Sequence, residues 1–186
     1  MDFLERDLED ILFECMCSKK GREILEEHGL DTNGVVYRQV ELGTYGRIDL
    51  MTVELDISEA TPFLIITVYE LKRNMIDVNA LMQGARYITG LRDILSKYDN
   101  INAKNVDFRF RLIGKDIDKN GDFVFLYNLL NMNVEVYTFD FDIEGMFFNY
   151  EDKSWVKKNE GFSNPLFDQL KAPGFKLLRH LIRSTI

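Results

Sequence analysis

The chain reads as an α/β (α+β) protein in which helices flank a mixed central sheet. The expected order is α-β-β-β-α-β, followed by an extra helix and a β-hairpin. Three observations carry this. Apolar residues recur at three- and four-residue spacing near the N-terminus and again over Asp77–Leu95, the period of a buried helical face. Between and after these stretches, apolar residues alternate or run unbroken over strand lengths. Of 186 residues, 46% are hydrophobic, enough for one core, and interleaved helices and strands pack as a sheet with helices on it.

The first helix spans Phe3 to about Glu27, with Leu4, Leu8, Ile11, Leu12 and Cys15 on one face. Lys19-Lys20-Gly21-Arg22 is the expected break in it, and His28-Gly29 its end. Asp31-Thr32-Asn33-Gly34 is turn chemistry and leads into a strand at Val35–Leu42. Gly43–Gly46 then turns into a second strand, Arg47–Leu55, and Ile57–Thr61 is the expected connection onward. Pro62–Leu71 is the most apolar segment and reads as a central strand buried on both faces. The helix Asp77–Leu95 turns Val78, Leu81, Met82, Ala85, Ile88 and Leu91 inward. In Val106–Ile113, a fourth strand, Val106, Phe108, Phe110 and Leu112 alternate inward, which leaves Arg109 and Arg111 facing outward as a second phosphate track. Phe123–Leu130 fits helix or strand and is assigned helix. Val134–Ile143 and Gly145–Tyr150 form the hairpin. Residues 1–150 make up one domain. Residues 151–186 form a loop and a short helix, a packing or interaction arm with Phe175, Leu178, Leu181 and Ile182 on one side.

Composition narrows the chemistry. Three prolines, twelve glycines and 29% charged residues exclude collagen-like and disordered classes. No apolar run approaches the roughly 18 residues of a membrane span, and the acidic start MDFLERDLED is unlike a secretory signal. The expected setting is cytoplasmic, with no membrane partner. Cys15 and Cys17 lie too close in sequence for a good bridge and read as reduced thiols. With His28 and His180 as the only histidines, catalysis falls to carboxylates and lysine. A net charge of −8 argues against coating nucleic acid by bulk charge, though local contacts remain open.

The stretch from Tyr45 to Tyr87 concentrates those groups. An apolar strand runs into Glu70-Leu71-Lys72, and alternation puts Glu70 and Lys72 on one face. Two readings stand: the strand's end simply reaches water, or buried charges serve a purpose. Asp49 favours the second. A hairpin from Arg47–Leu55 to Pro62–Leu71 lays Asp49 beside Glu70, where each carboxylate raises the other's pKa. A divalent cation resolves that conflict, with Asp49, Glu70 and the Leu71 carbonyl as its oxygen ligands. Lys72 then stabilises negative charge developing on a phosphate or positions the attacking water.

Asp49…Glu70-Leu71-Lys72 resembles the core signature of the PD-(D/E)XK nuclease superfamily, with Ile48 where that signature has proline. Gln83-x-x-x-Tyr87 is similar to the glutamine–tyrosine helix motif of its RecB-like branch. The wider pattern resembles the NucS-type endonuclease domain over roughly residues 3 to 150. It comprises Glu5-x-x-Leu8-x-x-x-Leu12, Gly46-Arg47-Ile48-Asp49-Leu50, Glu70-Leu71-Lys72-Arg73, Leu112–Lys115 and Val134–Phe139. The resemblance implies a restriction-endonuclease-like core and DNA cleavage dependent on Mg²⁺ or Mn²⁺. It also lifts Glu5 to a candidate site carboxylate, with Glu9, one turn on, competing for that role.

Gln83 and Tyr87, four apart, share a helical face and either line the pocket or cap the sheet edge. Arg47 contacts phosphate or makes a surface ion pair. Arg73, Arg86 and Arg92 form a basic rim, unless Arg86 merely balances Asp93 or Glu70. Two functions follow: a divalent-metal-dependent DNA endonuclease, or a catalytically silent nuclease-fold protein that binds nucleic acid or joins an assembly. A homodimer or a larger nucleoprotein assembly accompanies either.

Overall fold

The computed structural model describes residues 4–57, 62–98, 105–119, 122–129 and 133–152. The connection expected at Ile57–Thr61 and the C-terminal arm, with Trp155, Phe175 and His180, lie wholly or largely outside the described residues.

Two helices come first, α1 (Glu5–Met16) and α2 (Lys19–Glu27). The break falls at Cys17-Ser18, not in Lys19–Arg22. The Ser18 hydroxyl accepts from Gly21 N at 3.0 Å, an N-cap that makes the lysines the first turn of α2. α2 ends at Gly29 (φ +94°), and Leu30 N donates back to Leu25 O at 2.8 Å. A Cβ at Gly29 would lie 2.2 Å from the Phe148 carbonyl, so glycine serves both the turn and the close approach.

Strands β1 (Val35–Glu41), β2 (Arg47–Asp56) and β3 (Phe63–Leu71) follow as an antiparallel meander. A short 3₁₀ turn, Gly43–Tyr45, joins the first two. β4 (Met75–Ile76) precedes α3 (Val78–Leu95), whose cap Asp77 accepts from the Asn79 and Ala80 amides. β5 (Val106–Gly114), β6 (Asp116–Ile117), α4 (Asp122–Leu129), β7 (Asn133–Phe141) and β8 (Met146–Tyr150) complete the described chain.

The result is a six-stranded mixed sheet in the order β1-β2-β3-β5-β7-β8. β3, β5 and β7 run parallel, and β8 returns antiparallel on β7. β4 and β6, which the alternation pattern did not signal, pair in parallel just beyond the ends of β3 and β5. Parallel neighbours need crossovers, which α3 and α4 supply.

One face of the sheet carries Leu50, Tyr69, Leu71, Ile113 and Phe139 against Leu8, Leu12, Met16 and Leu25 of α1 and α2. The other face meets α3. There the contact surface is built on small residues: a Cβ at Gly84 would fall 1.8 Å from the Phe110 ring, so α3 rests directly on β5. This corrects the expectation for Met82, which is exposed, while Ala80, Leu81, Gly84, Tyr87, Ile88 and Leu91 are buried. Rotating the helix to bury Met82 would lift the glycine face off Phe110.

Arg111 is also corrected. It is 4% exposed, because helices cover both faces of the sheet and alternation alone cannot mark an outward side. Its guanidinium bonds Glu135 at 2.6 Å and the carbonyl and carboxylate of Asp31, with the Tyr69 and Tyr137 rings 5.7 and 5.6 Å away. It is a core anchor and not a phosphate track, and Arg109 pairs with Asp107 of its own strand. Among the described residues, no helix is long and apolar enough to cross a membrane.

Candidate active site

Register does the first part of the assembly. Leu50 pairs with Tyr69, so the preceding Asp49 and the following Glu70 arrive together at one end of the β2–β3 pair. Lys72 N bonds Ile113 O at 2.7 Å, which holds the end of β3 on β5. Leu71 N turns the other way and donates to Asp49 Oδ2 at 3.1 Å. A strand residue's N–H and C=O share an edge, so the Leu71 carbonyl also falls on the β2 side.

Glu70 is 2% exposed. Lys72 Nζ lies 2.6 Å from its Oε1, while Oε2 is buried with no hydrogen-bond partner among the described residues. Burial first, then the charge of Asp49, push the Glu70 carboxyl up to about 7, against the pull of Lys72. Burial likewise raises Asp49, partly opposed by the Leu71 amide. Burial pulls the Lys72 ammonium down, but the bond to Glu70 and the surrounding carboxylate charge outweigh it, and its pKa rises. One cation thus serves two crowded acids, and an unpartnered oxygen remains.

α3 adds Tyr87 over this group. Its hydroxyl is pushed up to about 12, by burial first and then by the charge of Glu70 and Asp49. Gly46 makes room for the ring: it sits at φ +104°, and a Cβ there would be 3.1 Å from Tyr87 Cε1. Gln83 lies one turn earlier on α3, half-buried.

α1 contributes the two competing glutamates, and they part company. Glu9 is buried, and its Oε1 accepts from Arg38 Nε at 2.5 Å and Gln39 Nε2 at 2.8 Å, which ties it to β1, although its charge still raises Asp49, more than that of Glu5 does. Glu5 reaches the end of β3, where its Oε2 accepts from Arg73 N at 3.1 Å and its charge acts on Asp49, Glu70 and Lys72. A cleft of about 520 Å³ opens here, lined by Glu5, Arg6, Glu9, Arg38, Gln39, Arg47 and Asp49. Arg47 pairs with Glu41 at 3.6 Å, both exposed. Arg86 is exposed, with its charge felt at Tyr87, whereas Arg92 lies over the Phe108 ring at 5.3 Å and Asp93 binds the Tyr45 hydroxyl.

Gln39 gave no sequence signal. It is the only non-glycine residue with positive φ (51°) among those described, a conformation that costs about 1–3 kcal/mol.

Among the described residues, no group of three or more His, Cys, Asp or Glu side chains is arranged to hold a metal. Asp49 and Glu70 stand opposite one another in the β2–β3 register and offer carboxylate oxygens, and Glu70 Oε2 has no hydrogen-bond partner among the described residues. That fits a hard divalent cation such as Mg²⁺, which takes one or two carboxylates and completes its shell with water. Compared with protein-family models, with curated proteins and with solved structures, the chain matches none.

Proposed function

We propose that the chain is a divalent-metal-dependent DNA endonuclease with a restriction-endonuclease-like core of PD-(D/E)XK type. The observation that carries the reading is Glu70: a buried carboxylate, held by Lys72 through one oxygen and unpartnered at the other, beside Asp49. Buried charge is expensive, and a group left half-satisfied marks a place where a ligand completes the bonding.

Asp49, Glu70 and the Leu71 carbonyl would hold Mg²⁺ or Mn²⁺. When bound, the ion supplies positive charge at the phosphate and a more acidic water. Lys72 remains protonated at neutral pH and presents an ammonium beside Glu70, where it offsets the negative charge on the phosphoryl oxygens. Tyr87 also stays protonated, so its hydroxyl can donate to a phosphate oxygen. Gln83, one turn away, offers an amide to the same strand. Arg47, Arg73 and Arg86 supply backbone contacts around the site, and Glu5 fixes the end of β3 through the Arg73 amide.

The test is incubation with linear, nicked, branched and single-stranded DNA in Mn²⁺. Wild type should cut at least one of them and Lys72→Ala none. Equal cutting by both proteins, or no cutting by wild type, rejects the reading. One observation favours the silent alternative, a DNA-binding or assembly component acting as a homodimer or in a larger complex: the Lys72–Glu70 contact already neutralises one acid without metal. Such a protein would retain DNA without cutting it.

A further inference from the structure

Gln39 stands opposite Asp49 by register, between the pairs Arg38–Leu50 and Val40–Ile48, yet it forms no pair itself. Leu42 N bonds Gly46 O across the turn, and counting back by twos makes 38–50 and 40–48 the hydrogen-bonded pairs. Gln39 and Asp49 would therefore form the close, non-hydrogen-bonded pair, in which side chains crowd most. An extended Gln39 would lay its side chain directly on Asp49.

The backbone prevents this. Successive strand side chains point to opposite faces, but Arg38 and Gln39 both reach Oε1 of Glu9, at 2.5 and 2.8 Å. The positive φ at Gln39 swings its amide onto the α1 side with Arg38, and buried Glu9 holds it there. Gln39 and Asp49 share the lining of one cleft with Arg47, Glu5, Glu9 and Arg38, so Asp49 is reached past the side on which Gln39 is held.

We propose that Gln39 is a positioning residue: its left-handed turn, anchored by Glu9, keeps one flank of Asp49 open as the side from which the substrate phosphodiester approaches. The approach route rests on the nuclease reading. The open flank does not.

The test compares Gln39→Val with Gln39→Gly. Both lose the amide bond to Glu9, but only glycine accepts the positive φ, so the difference isolates the backbone. The first readout is carbodiimide labelling of the Asp49 carboxyl in the metal-free protein, followed by mass spectrometry. Valine should slow labelling about tenfold relative to the glycine variant by covering the carboxyl. The second readout is cleavage kinetics, where valine should raise KM about tenfold over glycine with kcat within about threefold. Equal labelling rates overturn the open flank, and equal KM values overturn the approach route. If wild type cuts no DNA, the nuclease reading fails while the labelling rates still decide the flank. Gln39→Leu, also disfavoured at positive φ, takes the place of valine if that variant does not fold.

Discussion

Lys72 Nζ meets Glu70 through one carboxylate oxygen at 2.6 Å, and the other oxygen is buried without a hydrogen-bond partner among the described residues. The proton and a metal ion are therefore alternative ways to complete Glu70, and the pH dependence of stability should reveal the first.

The folded-state pKa of Glu70 is raised to about 7 from its ordinary 4.5, so between these values the folded chain binds more protons than the unfolded chain. Stability then falls as pH rises through that window, by up to about 3 kcal/mol. Asp49 is shifted in the same direction. Urea denaturation near pH 5 and pH 7.5, without divalent ions, should show the fall, and Glu70→Gln should flatten it. An unchanged slope in Glu70→Gln would place the proton elsewhere.

Removing Lys72 should cost stability as well as activity. Lys72→Met leaves Glu70 buried without its cation, a loss of about 1–3 kcal/mol near pH 7.5, and less near pH 5 where Glu70 takes a proton. Chemical denaturation at the two pH values measures the difference. A pH-independent loss would mean that Lys72 contributes packing alone.

The seat of α3 on β5 should be intolerant of a single methyl group. In Gly84→Ala the new carbon meets the Phe110 ring at 1.8 Å, and overpacking of this kind costs about 1–3 kcal/mol. Phe110→Leu should recover part of that loss in the double variant, as read by thermal denaturation. Additive losses would show that the two positions are uncoupled.

Arg111 and Arg86 should separate core from surface. Arg111→Lys loses the planar fork between Asp31 and Glu135 and should destabilise by about 2 kcal/mol without changing the salt dependence of DNA binding. Arg86→Ala should leave stability nearly unchanged and lower the slope of log affinity against log salt by about one. Fluorescence anisotropy across a salt series distinguishes them, and a slope that responds to Arg111→Lys would return that residue to the surface.

The sequence held the hairpin of β2 with β3 and that of β7 with β8, and with the first the meeting of Asp49 with Glu70, because a hairpin with comparable arms leaves little freedom in register. Spacing of four likewise brought Tyr87 to the face that covers the site. Other features were illegible for physical reasons. A sheet covered on both faces gives no outward side, so Arg111 read as exposed. A helix that packs through Gly84 hides its contact face behind the larger Met82. The αL turn at Gln39 arises from a tertiary bond to Glu9, and no local signal marks it. Where the Glu9 carboxylate is held likewise depended on where Arg38 and Gln39 lie.

Calorimetric titration of the protein with Mn²⁺ near pH 7, in two buffers of different ionisation enthalpy, tests the central claim most directly. The account predicts a single site that releases a proton from Glu70 on binding and is lost in Asp49→Asn. Binding that persists unchanged in Asp49→Asn, or no binding by wild type, would contradict it.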